Sequence, residues 1–151
     1  MPIIKLETYF DAPIEKVFDM CRDIDVHKYT AQQTNERAVG GVTTGLIKLG
    51  ETVTWEARHL GVKQRLTSKI TKMEFPNFFQ DEMVKGAFKS FKHEHFFEFE
   101  GTGTRLKDVF TYVSPLGFLG NIADHLFLKR YMTSFLTKRN QALLKVVKSY
   151  E

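Results

Sequence analysis

Cysteine is nearly absent. The chain has one, Cys21, among 151 residues, which excludes an internal disulfide and fits a reducing compartment. With an amphipathic stretch before it and no proton-accepting motif beside it, Cys21 reads as a packed small hydrophobe and not as a nucleophile. No window reaches the roughly 18 apolar residues of a membrane span. The opening Met-Pro-Ile-Ile-Lys-Leu-Glu carries charges where a signal peptide needs an unbroken apolar core. These absences predict a soluble cytoplasmic protein with no stable membrane insertion. Runs of like charge are missing too. The net charge of +4 is spread over scattered Lys and Arg, which describes a mixed solvated surface, and nucleic acid is not an expected partner. There is no Gly-x-Ser-x-Gly and no cysteine near a histidine, so the sequence offers no activated nucleophile.

What is abundant is phenylalanine. At 42% hydrophobic and 26% charged, 151 residues suit one globular domain spanning the chain, and 14 phenylalanines exceed what a minimal core of that size needs. Some are therefore expected to line a cavity. Ile3 to Phe10 alternate as a first strand, which Asp11-Ala12-Pro13 stops. Pro13 suits a first helical position, and Ile14, Val17, Phe18 and Cys21 have helical spacing for a short helix. Asp23 opens a second short helix or a turn, through Tyr29, on which His27 reads as a surface residue. Glu36 to Lys48, with Gly40, Gly41 and Gly45, reads as a strand broken by a loop at the rim of an opening. Val53, Trp55 and Ala57 then alternate into a hairpin turning at Leu60-Gly61, which sets Trp55 opposite Leu66 and leaves His59 solvated beside the turn.

The informative stretch is Asn77 to Val113. Between Phe88 and Glu100 the odd positions Phe91, His93, His95, Phe97 and Phe99 form the apolar set, with both histidines among the phenylalanines. After the turn, the even positions Leu106, Asp108, Phe110 and Tyr112 do the same. A Thr102-Gly103 loop would set Phe97 opposite Asp108, His95 opposite Phe110 and His93 opposite Tyr112. A Gly86-Ala87-Phe88 connection would set Asp81 opposite His93. Asp81, His93, His95, Asp108 and Tyr112 then form one polar patch on an aromatic floor. From about Phe118 to Tyr150 nothing breaks a helix, and Leu128, Tyr131, Met132, Phe135, Leu136, Leu143, Val146 and Val147 recur at threes and fours. Such a rod after a curved antiparallel sheet closes the sheet's concave face.

The order of one strand, two short helices, six further strands and a long terminal helix resembles the helix-grip fold of the SRPBCC superfamily, which includes START lipid-transfer domains and polyketide cyclases. Ala12-Pro13-Ile14-Glu15-Lys16-Val17-Phe18, Gly50-Glu51-Thr52-Val53-Thr54-Trp55 and Phe79-Gln80-Asp81 carry the resemblance. Gly86-Ala87-Phe88, His93-Glu94-His95-Phe96-Phe97, Gly103-Thr104-Arg105-Leu106-Lys107-Asp108 and Tyr112-Val113-Ser114-Pro115-Leu116-Gly117 extend it over essentially the whole chain, toward an uncharacterised bacterial subgroup. It implies an α+β domain of about seven antiparallel strands wrapped around the last helix, and a superfamily that spans carriers, sensors, cyclases and subunits with no known ligand.

Four readings of the polar patch stand side by side. The groups satisfy one another structurally; or they orient the polar head of a ligand in an apolar cavity; or His93 with Asp81 acts as general base while Tyr112 donates to an oxyanion; or His-x-His with a third ligand holds zinc. The preferred function is non-covalent binding of a hydrophobic or amphipathic small molecule, without metal or other cofactor. The expected lining is Trp55, Leu66, Phe79, Phe91, Phe97 and Phe110, with Tyr112, Leu128, Met132 and Phe135, beside the polar residues of the patch. His125, Arg130 and Arg139 on the last helix are weaker candidates for meeting an anionic head at the cavity mouth. The alternatives are a cyclase or hydrolase, and a structural or partner-binding domain with a filled interior.

Overall fold

Residues that alternate in polarity extend into strands, and here they do so seven times. The computed structural model describes residues 2–59, 61–114 and 127–149. Its strands are β1 (Ile3–Phe10), β2 (Arg37–Gly41), β3 (Thr52–His59), β4 (Val62–Glu74), β5 (Phe78–Lys85), β6 (Ser90–Glu100) and β7 (Gly103–Val113). β2 to β7 run as an antiparallel meander, each bonded to the next, and β1 returns to the far edge of β7. Between β1 and β2 lie α1 (Ile14–Cys21), α2 (Ile24–Thr30) and a single 3-10 turn, Gln32–Thr34, that the sequence pattern did not indicate. Helices of eight and seven residues do not hold alone. α1 buries Ile14, Val17, Phe18 and Met20, and α2 starts where Asp23 Oδ1 accepts the amides of Asp25 and Val26 at 2.9 and 3.2 Å. The last element, α3 (Lys129–Ser149), presents Met132, Leu136, Asn140, Leu143, Val146 and Val147 inward. The expected helix start at Phe118, and His125, lie outside the described residues.

Two of the three expected registers hold: Trp55 pairs with Leu66 and Asp81 with His93. The third is corrected. β6 and β7 join through Gly101-Thr102, so Glu100 pairs with Gly103 and every partner on β7 moves by two residues. Leu106 faces Phe97, Asp108 faces His95, Phe110 faces His93 and Tyr112 faces Phe91. The reason lies in the two glycines. Gly101 takes the positive φ of the turn, +61°, whereas a Cβ on Gly103 would sit 2.3 Å from the Phe10 carbonyl of β1. Gly103 is a close-approach glycine inside a strand. A shift of two keeps each side chain on its face, so the buried set survives. It ends at Phe97, and Phe99 beside the turn is 72% exposed.

The interior is divided. One apolar cluster packs α1 and α2 with Phe10, Ile70, Phe79, Phe97 and Leu106 and the C-terminal half of α3. The other gathers Ile4, Phe91, Phe110 and Tyr112 under Met132 and Leu136. Between the two, each element that crosses the interior contributes polar side chains: Thr8 on β1, Asp81 on β5, His93 and His95 on β6, Asp108 on β7, Arg139 and Asn140 on α3.

Candidate functional site

The polar layer is a bonded network. Asp108, 1% exposed, is at its centre. Its Oδ1 lies 2.8 Å from His93 Nε2, and its Oδ2 accepts from Asn140 Nδ2 at 2.8 Å; the same Nδ2 also reaches Thr8 Oγ1 at 3.2 Å. Asp81 Oδ1 lies 2.9 Å from His95 Nε2. The bonds therefore run diagonally: Asp81 is level with His93 but bonds His95, and Asp108 is level with His95 but bonds His93. Stacking at 3.9 Å between the two imidazoles permits the crossing. An ionised carboxylate only accepts, so both Nε2 atoms carry hydrogen. His95 Nδ1 stands 3.2 Å from Asp108 Oδ1, an ion-pair separation without hydrogen-bond geometry.

Charge divides unequally over this network. Burial drives the His93 pKa down to about 4, the adjacent His95 adds to that, and the bond to Asp108 opposes it. Burial also disfavours charge on His95, but Asp108 and Asp81 together outweigh it and its pKa rises. Burial would raise Asp108, yet its bonds from His93 and His95 hold it well below the usual carboxylate range, and His95 does the same for Asp81 against the same opposition. His93 is thus the neutral imidazole and His95 the one that takes the proton first.

Above this layer, on the side of the second cluster, lies a cavity of about 390 Å³. Asp81, His93 and Arg139 form its polar floor. Its walls are Trp55, Leu66, Phe91 and Phe110 from the sheet and Leu128, Met132 and Phe135 from the helix segment. Five of the expected lining residues are elsewhere, each for a packing reason. His95 and Asp108 sit under the floor, with His95 against a second small space of about 10 Å³. Phe79 is stacked on His95 at 4.1 Å, and Phe97 belongs to the first cluster. Tyr112 is fully buried between Phe88 and Phe110. The expected triad of His93, Asp81 and Tyr112 is therefore not assembled: the carboxylate on His93 is Asp108, and Tyr112 is outside the cavity wall.

Three further lining residues, His27, Glu36 and His59, lie outside the expected set. His27 stacks on Trp55 at 4.2 Å and lies 3.2 Å from Glu36 Oε1. Burial and Glu36 act oppositely on His59, with burial prevailing, so its pKa falls. His59 Nδ1 is 2.8 Å from Tyr131 Oη, joining β3 to α3 across the cavity. The signal for His59 was there in the alternation Val53, Trp55, Ala57, His59; no pattern marks Glu36. Arg130 is exposed, whereas Arg139 is 11% exposed and lines the cavity. Cys21 packs against the first cluster, and burial pushes its thiol up.

Asp81, His93 and His95 offer one ligand atom each within 4.8 Å of one another, a donor set suited to a divalent transition metal. Their Nε2 atoms are already committed to carboxylates, and the Arg139 guanidinium 3.8 Å from Asp108 would oppose a further cation. The arrangement is better suited to presenting one neutral imidazole, His93, and one cation, Arg139, to something polar in an apolar space. Among the described residues no helix is long and apolar enough to cross a membrane.

No protein-family model matches the sequence, and no curated relative does. Solved structures do match. TTHA0849 from Thermus thermophilus is 20% identical, with a TM-score of 0.81 over 99% of both chains. Ginseng major latex-like protein 151 from Panax ginseng is 11% identical, TM-score 0.70, over 95% of both chains. Ara h 8.0201 is 13% identical, TM-score 0.66, over 98% of both. Identities this low carry architecture alone. The chain has the helix-grip fold: a curved antiparallel sheet of seven strands, two short helices after the first strand and a long C-terminal helix.

Proposed function

We propose that the protein is a single SRPBCC-type domain across residues 1–151 that binds a hydrophobic or amphipathic small molecule, lipid- or polyketide-like, without covalent chemistry. One observation carries this reading: a space of about 390 Å³ whose lining is mostly apolar and aromatic, with a small number of polar side chains gathered at its floor and rim. Small-molecule sites have roughly 300–1,000 Å³, mostly apolar walls and a few placed polar groups. Trp55, Leu66, Phe91, Phe110, Met132 and Phe135 supply the contact area, and Asp81 and His93 orient the head. A filled interior would leave no such volume. The partner is then a small molecule in the cytoplasm and not nucleic acid.

The neutral fluorophore N-phenyl-1-naphthylamine tests this without involving charge. Saturable binding at one site per chain, with a rise in melting temperature as the probe is added, is the expected result, because a ligand that binds only the folded state stabilises it by mass action. Fluorescence that never saturates, together with an unmoved melting temperature, would reject the reading.

A further inference from the structure

We propose that the ligand carries a single carboxylate and that Arg139 is the residue that recognises it. This rests on the cavity being a ligand site, and it names the class of ligand.

A guanidinium has five N–H donors in a fixed fork and stays charged in proteins. Arg139 is largely withdrawn from solvent, at 11% exposure, and its Nε is shut off from solvent with no hydrogen-bond acceptor among the described residues. Its nearest carboxylate, Asp108, is 3.8 Å away, beyond hydrogen-bond reach. Asp108 is already engaged, Oδ1 by His93 and Oδ2 by Asn140. Burying a charge without hydrogen bonds is costly, so proteins normally pair such groups. Arg139 lines the cavity, and an acceptor brought by a ligand completes it.

The other charged groups on the wall are already engaged. Asp81 bonds His95, Glu36 bonds His27 and Thr34 Oγ1, and Arg65 donates from Nε to Glu56 Oε2 at 3.0 Å. Asp81 and Glu36 bear instead on the charge of the ligand: a doubly charged phosphate head would meet two carboxylates, where a carboxylate head brings only one negative charge to a guanidinium that lacks a hydrogen-bond acceptor. The shape agrees. Phe127, Tyr131, Phe135 and Arg139 follow at intervals of four along the helix segment, so they share one face. At about 1.5 Å per residue, Tyr131 and Arg139 are about 12 Å apart. Phe127 is half exposed, whereas Arg139 is only 11% exposed. A carboxylate at the buried end thus directs its chain along the aromatic stripe toward the His59–Tyr131 end, over a distance comparable to a decyl chain.

Decanoate, decan-1-ol and decylammonium share one tail and differ in the head, and isothermal titration of the full chain with each tests the assignment. Decanoate is expected to bind on the order of ten- to a hundred-fold more tightly than the other two, as a charge-assisted hydrogen bond in a buried site would give. Arg139→Met is expected to remove that preference, so that decanoate binds the variant no more tightly than decan-1-ol binds the same variant. Arg139→Lys, which keeps the charge and loses the fork, is expected to fall between. Decan-1-ol or decylammonium binding as tightly as decanoate to the unaltered protein overturns the proposal and leaves apolar binding intact; that comparison needs no variant to fold. A preference that persists in Arg139→Met overturns the role of this residue. Failure of all three ligands, together with the neutral fluorophore, removes the cavity as a ligand site altogether.

Discussion

A histidine forced to stay neutral in the interior makes folding depend on pH, and His93 is such a residue. In the unfolded chain its imidazole titrates near 6.5, and in the fold burial brings that down to about 4. Between those values the unfolded chain holds a proton that the folded one refuses, so stability falls with falling pH. His95 has the opposite sign: its pKa is raised, so it is protonated in both states below 6.5 and its contribution is lost only as pH rises through the raised value. Asp81 and Asp108, depressed below 3.8, enter only at the acid end of that window. His93→Gln keeps a donor for Asp108 and removes the titration. Urea denaturation at pH 6.5 and pH 4.5 is expected to show the unaltered protein losing on the order of 2 to 3 kcal/mol across that interval more than the variant does. Equal losses in the two would place the acid sensitivity elsewhere. At this scale the sequence was only partly legible. Alternation put both imidazoles on the buried face, but which carboxylate each bonds depends on diagonal reach between stacked rings, which no spacing records. His27 has the sequence context of a surface residue, and what draws it inward, Trp55, is 28 positions away in a different element.

Turn chemistry shows the same limit one level up. Gly-Thr-Gly-Thr offers two glycines for one tight turn, and composition does not say which takes the positive φ. The answer comes from outside the hairpin, from the β1 backbone pressing on Gly103. The two glycines should therefore differ when substituted. Gly101→Ala has open space around it apart from Tyr9 Oη at 3.9 Å and costs only the left-handed backbone, about 1 kcal/mol. Gly103→Ala drives a methyl to 2.3 Å from a carbonyl oxygen and 2.6 Å from Tyr9 Oη, which separates β1 from β7 and is expected to cost roughly 2 to 3 kcal/mol. Chemical denaturation of the two variants side by side checks the order; Gly101→Ala emerging as the more damaging would contradict the close approach of β1 to Gly103. The elements themselves were legible, seven strands and the terminal helix, because each carries its own period. The 3-10 turn Gln32–Thr34 was not, since three residues are too few for any periodicity to show.

At the scale of the molecule, the polar layer separates two interiors with different tasks. On one side α1 and α2 fill the space over the sheet, so Phe18 packs edge-on to Phe79 and close to Phe97, and the space described there, beside Met20, Cys21 and His95, is about 10 Å³. On the other side no short helix is inserted among the described elements, α3 spans the sheet by itself, and the volume beneath it stays open. Aromatic abundance pointed to such a space, but where it lies follows from the division of the core, which depends on all the elements at once. If the open half exists for a ligand, filling it should remove binding without loss of the fold. Ala57, 6% exposed on β3, faces the cavity with the smallest side chain available. In Ala57→Phe a ring occupies space otherwise open to a guest; burial of its apolar surface offsets the rearrangement of neighbours, so stability should stay within about 1 kcal/mol of the unaltered protein. Affinity for N-phenyl-1-naphthylamine should drop at least about tenfold, since the guest then has to displace a packed side chain worth more than roughly 1.4 kcal/mol. A variant that melts normally and binds the fluorophore as before would locate the binding surface outside this cavity, whereas lost affinity with the melting temperature preserved ties binding to the hollow half of the grip.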